Sequence, residues 1–287
     1  MKPLTPRPKL FSRVALFLAK RLPRGYWPLM RFAANRDAAL WDFPIPLTMF
    51  PQTAIRADLR ETVSMNFLRH GCDPGQKGHD LLFSRLVRPG DIVFDIGANV
   101  GYTMLLFSTF TGPGGKVIAV EPGNRAFAVL ARNAEHRSNV RLIRAAASDR
   151  IGETMFYEAA MSDRSSIDRI SGAAEIAVPT ITVDRIAEQE GAPALVKIDV
   201  EGHEAGVLRG MAGLMASDRP PMISFEALTP QLRGESIATI QALARHEGRF
   251  FRIMGDGTVA SDLDAAGTRD YLFVPDHASH LVSAVHS

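Results

Sequence analysis

The sequence predicts an α/β protein built on one mainly parallel sheet with helices on both faces and a late antiparallel strand. Three observations predict it. Short apolar runs at residues 92–94, 116–120, 195–198 and 222–225 each lead to an acid at the strand end, Asp95, Glu121, Asp199 or Glu226. Unbroken β-branched and aromatic runs of this length are how strands buried on both faces read. Helical patterns stand between them, the alternation that produces a parallel sheet. With 287 residues, 46% of them apolar and 22% charged, the chain can bury the core of one large domain.

Residues 9–22 (K-L-F-S-R-V-A-L-F-L-A-K-R-L) form a helical pattern that Pro23 ends. At about 100° per residue, Lys9, Arg13, Lys20 and Arg24 fall on one side and Leu10, Val14, Phe17 and Leu18 on the other. The apolar stretch 14–19 is far shorter than the ~20 residues of a membrane span. Such a basic amphipathic segment (residues 9–24) suits an anionic membrane surface, with docking on the protein's own body or on a second copy, a homodimer, as the alternative. The first 36 residues carry nine Lys or Arg and no acid, so the remainder has 24 basic against 31 acidic residues. A single cysteine, Cys72, rules out an internal disulfide and fits a reducing compartment. The expectation is a cytoplasmic protein, with a peripheral position at the inner membrane face as the alternative.

Three prolines in residues 42–52 forbid a helix and predict an extended linker. Residues 55–68 read equally as strand or helix, 70–79 as a loop and 80–87 as a helix. Then come strand 92–94, helix 102–110, strand 116–120, helix 124–137 and strand 140–143. Strands 153–158 and 175–183 flank a polar stretch, 161–171, expected to be a mobile loop over the site. Strands 195–198 and 222–225, helix 235–246 and strands near 250–253 and 271–274 complete the chain. The domain organisation expected is a basic segment at 1–41, a linker and extension at 42–89, and the principal domain at 90–287.

The chemistry is concentrated at residues 91–101, D-I-V-F-D-I-G-A-N-V-G. Its glycines stand as G-x-x-x-G, so the G-x-G-x-x-G fingerprint for a pyrophosphate is missing. Asp95, two residues before Gly97, suits a ligand carrying an ammonium. Glu121, twenty residues after Gly101, stands where second-strand acids of nucleotide folds accept ribose hydroxyls. An amino-acid end, a ribose and no diphosphate describe S-adenosylmethionine.

The segments D-I-G-A-N-V-G-Y-T, V-I-A-V-E-P and V-K-I-D-V-E-G-H-E together resemble the FkbM-type methyltransferases over roughly residues 90–271. The resemblance implies a Rossmann-like class I fold, S-adenosylmethionine as methyl donor and O-methylation of a carbohydrate, lipid or small-metabolite hydroxyl. It implies cofactor contacts from Asp95, Gly97, Asn99, Gly101, Tyr102, Thr103, Glu121 and Pro122. An acid near the end of the third strand commonly meets the adenine in class I enzymes. Ser148 and Asp149 are the candidates here, with turn chemistry as their alternative. The family often carries a glutamate near residues 78–80, where this chain has Gly78, His79 and Asp80.

Ligands of open α/β sheets bind outside the carboxyl ends of the strands, which puts Asp95, Glu121, Asp199 and Glu226 on one rim. Methyl transfer to a hydroxyl needs in-line alignment and a base for the proton. Asp199 is favoured by strand position, Glu201 by the resemblance and His203 by its ordinary pKa, about 6.5. Glu204 suits a helix N-terminus. Lys197 and Glu226 are expected to face the substrate. Asp199, Glu201, His203 and Glu226 alternatively suit a divalent cation, although no metal is assigned. The sequence lacks an N/D-P-P-Y/F/W motif, against amino methylation, and its lone cysteine argues against pyrimidine C5 methylation. Two Trp and an acidic main body give no platform for nucleic acid. An RNA methyltransferase is the second reading, and a non-catalytic cofactor-binding scaffold the third.

Overall fold

The computed structural model describes residues 7–22, 24–158, 167, 173–264 and 269–282. The chain begins with a helical pair, α1 (Leu10–Ala19) and α2 (Tyr26–Ala34). Helix α2 went unread in the sequence because of Pro28, which the first helical turn tolerates since amides there have no partner in the helix. The proline-rich stretch, expected as a linker, is one arm of an antiparallel hairpin, β1 (Phe43–Pro46) with β2 (Ala54–Ala57). The ambiguous 55–68 divides between β2 and α3 (Thr62–His70). A short 3-10 turn, Pro74–Gln76, then leads into α4 (Lys77–Leu86).

The central sheet follows with β3 (Ile92–Ile96), α5 (Tyr102–Thr111), β4 (Lys116–Val120), α6 (Asn124–Ala134) and β5 (Val140–Ile143). An inserted three-stranded sheet comes next: β6 (Ala146–Ala147), β7 (Gly152–Glu158) and β8 (Ala174–Ile181). The loop expected at 161–171 lies outside the described residues apart from Ile167. Helix α7 (Val183–Glu190) begins at the last residue of the strand expected at 175–183, a bound that the β-branched residues 180–183 suggest. Thr182 ends the strand by accepting the Arg185 amide at 3.1 Å, an N-cap. Then come β9 (Leu195–Ile198), the short helices α8 (Glu204–Arg209) and α9 (Ala212–Met215), β10 (Met222–Glu226) and α10 (Pro230–Leu243). Helix α10 starts five residues before its expected position, capped by Thr229 with Pro230 in its first turn. The chain closes with β11 (Gly248–Ile253), β12 (Val259–Ala260) and β13 (Asp270–Pro275).

The sheet order is β12-β11-β13-β10-β9-β3-β4-β5. Strands β10, β9, β3, β4 and β5 are parallel, while β13 runs against both β10 and β11. Its two faces divide by strand alternation. Val93, Val117, Ala119 and Leu195 pack with α3, α4, α5 and the N-terminal elements. Phe94, Ile96, Ile118, Val196 and Ile198 pack under α7, α8 and α9 on the other face. Successive side chains of a strand point to opposite faces, so a run apolar at every position needs covering on both. This is the class I α/β arrangement the sequence predicts. Its carboxyl rim brings Asp95, Glu121, Asp199 and Glu226 to one edge.

Candidate functional site

The turn after β3 sets the geometry. Gly97 has φ +79°, and a Cβ there would lie 1.8 Å from the carbonyl oxygen of Asp199. Only glycine lets this turn lie against the end of β9. Asn99, at φ +47°, donates its amide to Glu121 Oε2 at 3.0 Å, and the Gly123 amide reaches Glu121 Oε1 at 2.8 Å. Gly101, also left-handed, opens α5. Asn133 of α6 ties the turn to the N-terminal hairpin, donating to Val100 O at 2.7 Å and to Arg56 O at 3.1 Å, and accepting from the Arg56 amide.

A cleft of about 1010 Å³, including its open mouth, lies over this turn. Gly97, Asn99, Tyr102, Thr103, Glu121, Pro122, Lys197, Asp199 and Glu201 line it, which gathers most of the residues expected from sequence. Val63 and Phe67 of α3, Asp73 and Gln76 form a wall that sequence reasoning did not assign. Thr103 Oγ1 lies 3.4 Å from Gln76 Oε1, and Phe67 packs on Tyr102 with ring centroids 5.0 Å apart. The opposite wall, Ala145, Ala146, Ala147 and Phe156, is apolar and comes from the inserted sheet and the residue before it.

The residues present fit S-adenosylmethionine. Burial pushes the Glu121 carboxyl up to about 7, against the pull of the Gly123 and Asn99 amides. A ribose diol donating to it would stabilise the carboxylate. Asn99 lines the cleft, and its Oδ1 is buried without a hydrogen-bond partner; an acceptor left so is costly unless a ligand satisfies it. The apolar wall suits a purine ring.

Other expected residues lie elsewhere. Asp95 is fully buried beneath the turn and pairs with Lys197 Nζ at 3.3 Å, so its carboxylate does not line the cleft. Burial raises its pKa and the Lys197 ammonium opposes that. Lys197 also contacts Asp199 at 3.2 Å and donates to Gly97 O at 3.2 Å. Burial works against its charge, but the carboxylates of Asp199 and Asp95 win and hold the ammonium above its ordinary range. Ser148 Oγ sits 3.1 Å from His203 Nε2, and neither these two residues nor Asp149 lines the cleft. The His203 ring packs over Gly206, where a Cβ would meet it at 2.3 Å.

At the outer end of the rim, ligand atoms of Asp199, Glu201 and Glu226 all lie within 4.8 Å of one another, close enough to hold a cation. Burial and the neighbouring Asp199, Glu201 and Asp270 push the Glu226 carboxyl well above its usual range, so it carries a proton near neutral pH and hydrogen-bonds Asp199. Glu201 has φ +54°, a left-handed non-glycine conformation found disproportionately at functional sites. Glu204 holds that turn by accepting the Val200 and Gly202 amides at 3.2 and 3.1 Å. Asp270, opposite Glu226 in the sheet, approaches His79 Nε2 at 3.4 Å. This pair also escaped the sequence reading, because 191 residues of chain separate its members.

Residues 95–249 match the model of the methyltransferase FkbM domain. The chain is similar to the 31-O-demethyl-FK506 methyltransferase FkbM of Streptomyces tacrolimicus, with 30% identity over 216 residues, covering 63% of this chain and 76% of that protein. It is also similar to the hexuronic acid methyltransferase AglP of Haloferax volcanii, with 28% identity over 130 residues, 44% of this chain and about half, 52%, of that protein. Among solved structures, an O-methyltransferase from Bacillus cereus in complex with SAH aligns with a TM-score of 0.42 and 13% identity, covering 70% of this chain and 80% of that one. With the match spanning more than half the chain, the protein belongs to the FkbM family of S-adenosylmethionine-dependent methyltransferases.

Proposed function

We propose that the protein O-methylates a hydroxyl of a carbohydrate, lipid or small metabolite in the cytoplasm. One observation carries this reading: Asp199 and Glu201 line the same cleft as Glu121, at the end where an acceptor can enter beside the cofactor. The names of the two relatives, one a 31-O-demethyl-FK506 methyltransferase and one a hexuronic acid methyltransferase, support an oxygen acceptor.

S-adenosylmethionine supplies an electrophilic methyl on a sulfonium. Glu121 would hold the ribose, and Asn99 Oδ1 would accept a hydrogen bond from the bound ligand. Asp199 and Glu201 would orient the acceptor hydroxyl. The Asp199 carboxylate would accept its one proton as the oxygen bonds to the methyl carbon and the carbon–sulfur bond breaks, its electron pair staying on sulfur, the task of a general base. Lys197 fixes the Asp199 carboxylate and balances its charge, so our reading needs no metal there. His203 positions the turn through Ser148. Asp95 supports the site from beneath through Lys197. Asp199 and Glu201, the two carboxylates lining the cleft beside the Lys197 ammonium, would repel a phosphodiester backbone, which disfavours RNA as acceptor.

The test is incubation of the protein and methyl-labelled S-adenosylmethionine with glycan, lipid and metabolite fractions. Label that resists mild alkali, as a methyl ether does, is the expected result. Label released by alkali would mean a carboxylate ester and overturn the hydroxyl assignment. Label in RNA would favour the second reading, and none in any fraction the non-catalytic one.

A further inference from the structure

The helical pair at the N-terminus is turned opposite to the usual surface arrangement. Small residues, Ser12, Ala15 and Ala19 of α1 and Ala33 and Ala34 of α2, face the protein and are buried. Met30 of α2 is buried with them and Leu16, Trp27 and Leu29 pack partly on the core, while other large apolar side chains point out: Leu10 is 75% exposed, Val14 51%, Phe17 55% and Phe32 54%. Leu10, Val14 and Phe17 follow the i, i+4, i+7 spacing that makes one stripe along a helix. The protein's own body therefore covers the opposite face and leaves this one bare.

The border of the stripe has a single sign of charge. Lys9, Arg13, Lys20, Arg21, Arg24, Arg31 and Arg36 are all exposed. The first acid of the chain, Asp37, is buried and accepts the Lys9 amide at 2.7 Å. Arg21 stacks over the Phe17 ring and Arg36 over Phe32, each 3.8 Å from the ring centroid, so guanidinium groups flank the exposed aromatics. We propose that this face docks on an anionic lipid surface, with Leu10, Val14, Phe17 and Phe32 entering the headgroup–acyl boundary and the basic residues meeting the lipid phosphates. Two copies meeting through this face would bring like charges together. A nucleic acid would satisfy the basic residues but leave Leu10 and Val14 without an apolar partner. Among the described residues no helix is long and apolar enough to cross a membrane, so the pair lies along the surface.

The docked pair is tied to the cleft. Arg69 of α3 donates to the carbonyls of Ala19 at 2.9 Å and Leu22 at 2.8 Å, and its guanidinium stacks on the Tyr26 ring, 4.1 Å from the centroid. The same helix carries Val63 and Phe67, which line the cleft. Docking therefore fixes the cleft wall relative to the lipid plane.

The test is sedimentation of the full-length protein with phosphatidylcholine vesicles, with and without phosphatidylserine, at low and high salt. The protein should pellet with phosphatidylserine vesicles at low salt and lose most of this binding at high salt. The double substitution Val14→Asp with Phe17→Asp should weaken binding at least ~10-fold, leaving the thermal midpoint and the affinity for S-adenosylhomocysteine unchanged. Both residues are exposed, so the fold does not depend on them. A protein that stays in the supernatant at low salt, or a variant that binds as the wild type does, overturns the proposal. Light scattering that shows a wild-type dimer, lost in the variant, without vesicle binding would give the face to a second copy. Methyl transfer and vesicle binding are read separately, so failure here leaves the reading of the cleft standing.

Discussion

Replacing Gly97 by Ala should damage the protein more than the loss of a glycine in an ordinary turn. The added Cβ would sit 1.8 Å from the Asp199 carbonyl oxygen and 2.8 Å from its carbon, both backbone atoms that no rotamer change can move. Holding a non-glycine residue at φ +79° costs about 1–2 kcal/mol. Forcing the turn and β9 apart adds about 1–3 kcal/mol, for a total of about 2–5 kcal/mol. Gly90 supplies the control, since φ is +93° there but nothing lies within 4 Å of its Cβ position. Gly90→Ala should therefore cost only the backbone part, about 1–2 kcal/mol. Urea unfolding midpoints, compared at unchanged slope, read the difference. Because the displaced strand end carries Asp199, Gly97→Ala should also lower turnover. If it is no more destabilising than Gly90→Ala, the close packing of turn on strand does not hold the site together.

Two further outcomes follow from the cleft. Free Glu121 titrates at about 7 and ribose hydroxyls favour its ionised form, so affinity for S-adenosylhomocysteine should rise with pH up to about 7 and level off above it. Glu121→Gln should flatten this dependence, and calorimetry showing a wild-type affinity that falls over the same range would refute the assignment. Asp199→Asn should lower turnover by ~10²–10⁴, as loss of a general base does, with cofactor affinity nearly unchanged. His203→Ala should lower it far less, because that ring meets Ser148 outside the cleft. Equal losses in steady-state assays would make His203 the base.

What the sequence revealed and what it hid follow from separation along the chain. Strands β4, β5 and β9 were legible to the residue as short, mostly apolar runs with abrupt ends, β4 and β9 buried and β5 an edge strand with Arg141 exposed. The strand-end acids were legible for the same reason. The partners of those acids were not. Lys197 lies two residues from Asp199, yet its bond to Asp95 joins residues that only the β3–β9 register brings together. That pairing places Asp95 beneath the turn, where the spacing alone suggested a direct contact with the cofactor's ammonium. Val63 and Phe67 reach the cleft from α3, before the first strand of the main sheet, and no local pattern announces that. At the antiparallel edge, β11 and β13 stand where strands were expected, and β12 is the addition, because a two-residue strand such as Val259–Ala260 is too short for any periodicity to show. Small residues that dock α1 were equally unreadable: amphipathicity counts large apolar groups, and here those face outward.

The most direct measurement for the central claim is a calorimetric titration of the wild-type protein and Glu121→Ala with S-adenosylhomocysteine and with NAD. If the cleft over β3 and β4 is the cofactor site, S-adenosylhomocysteine binds the wild type and NAD does not. Glu121→Ala then loses about 1.5–3 kcal/mol for each ribose hydrogen bond removed, ~10-fold or more in Kd. Binding of NAD, or equal affinity of the wild type and Glu121→Ala for S-adenosylhomocysteine, would contradict it.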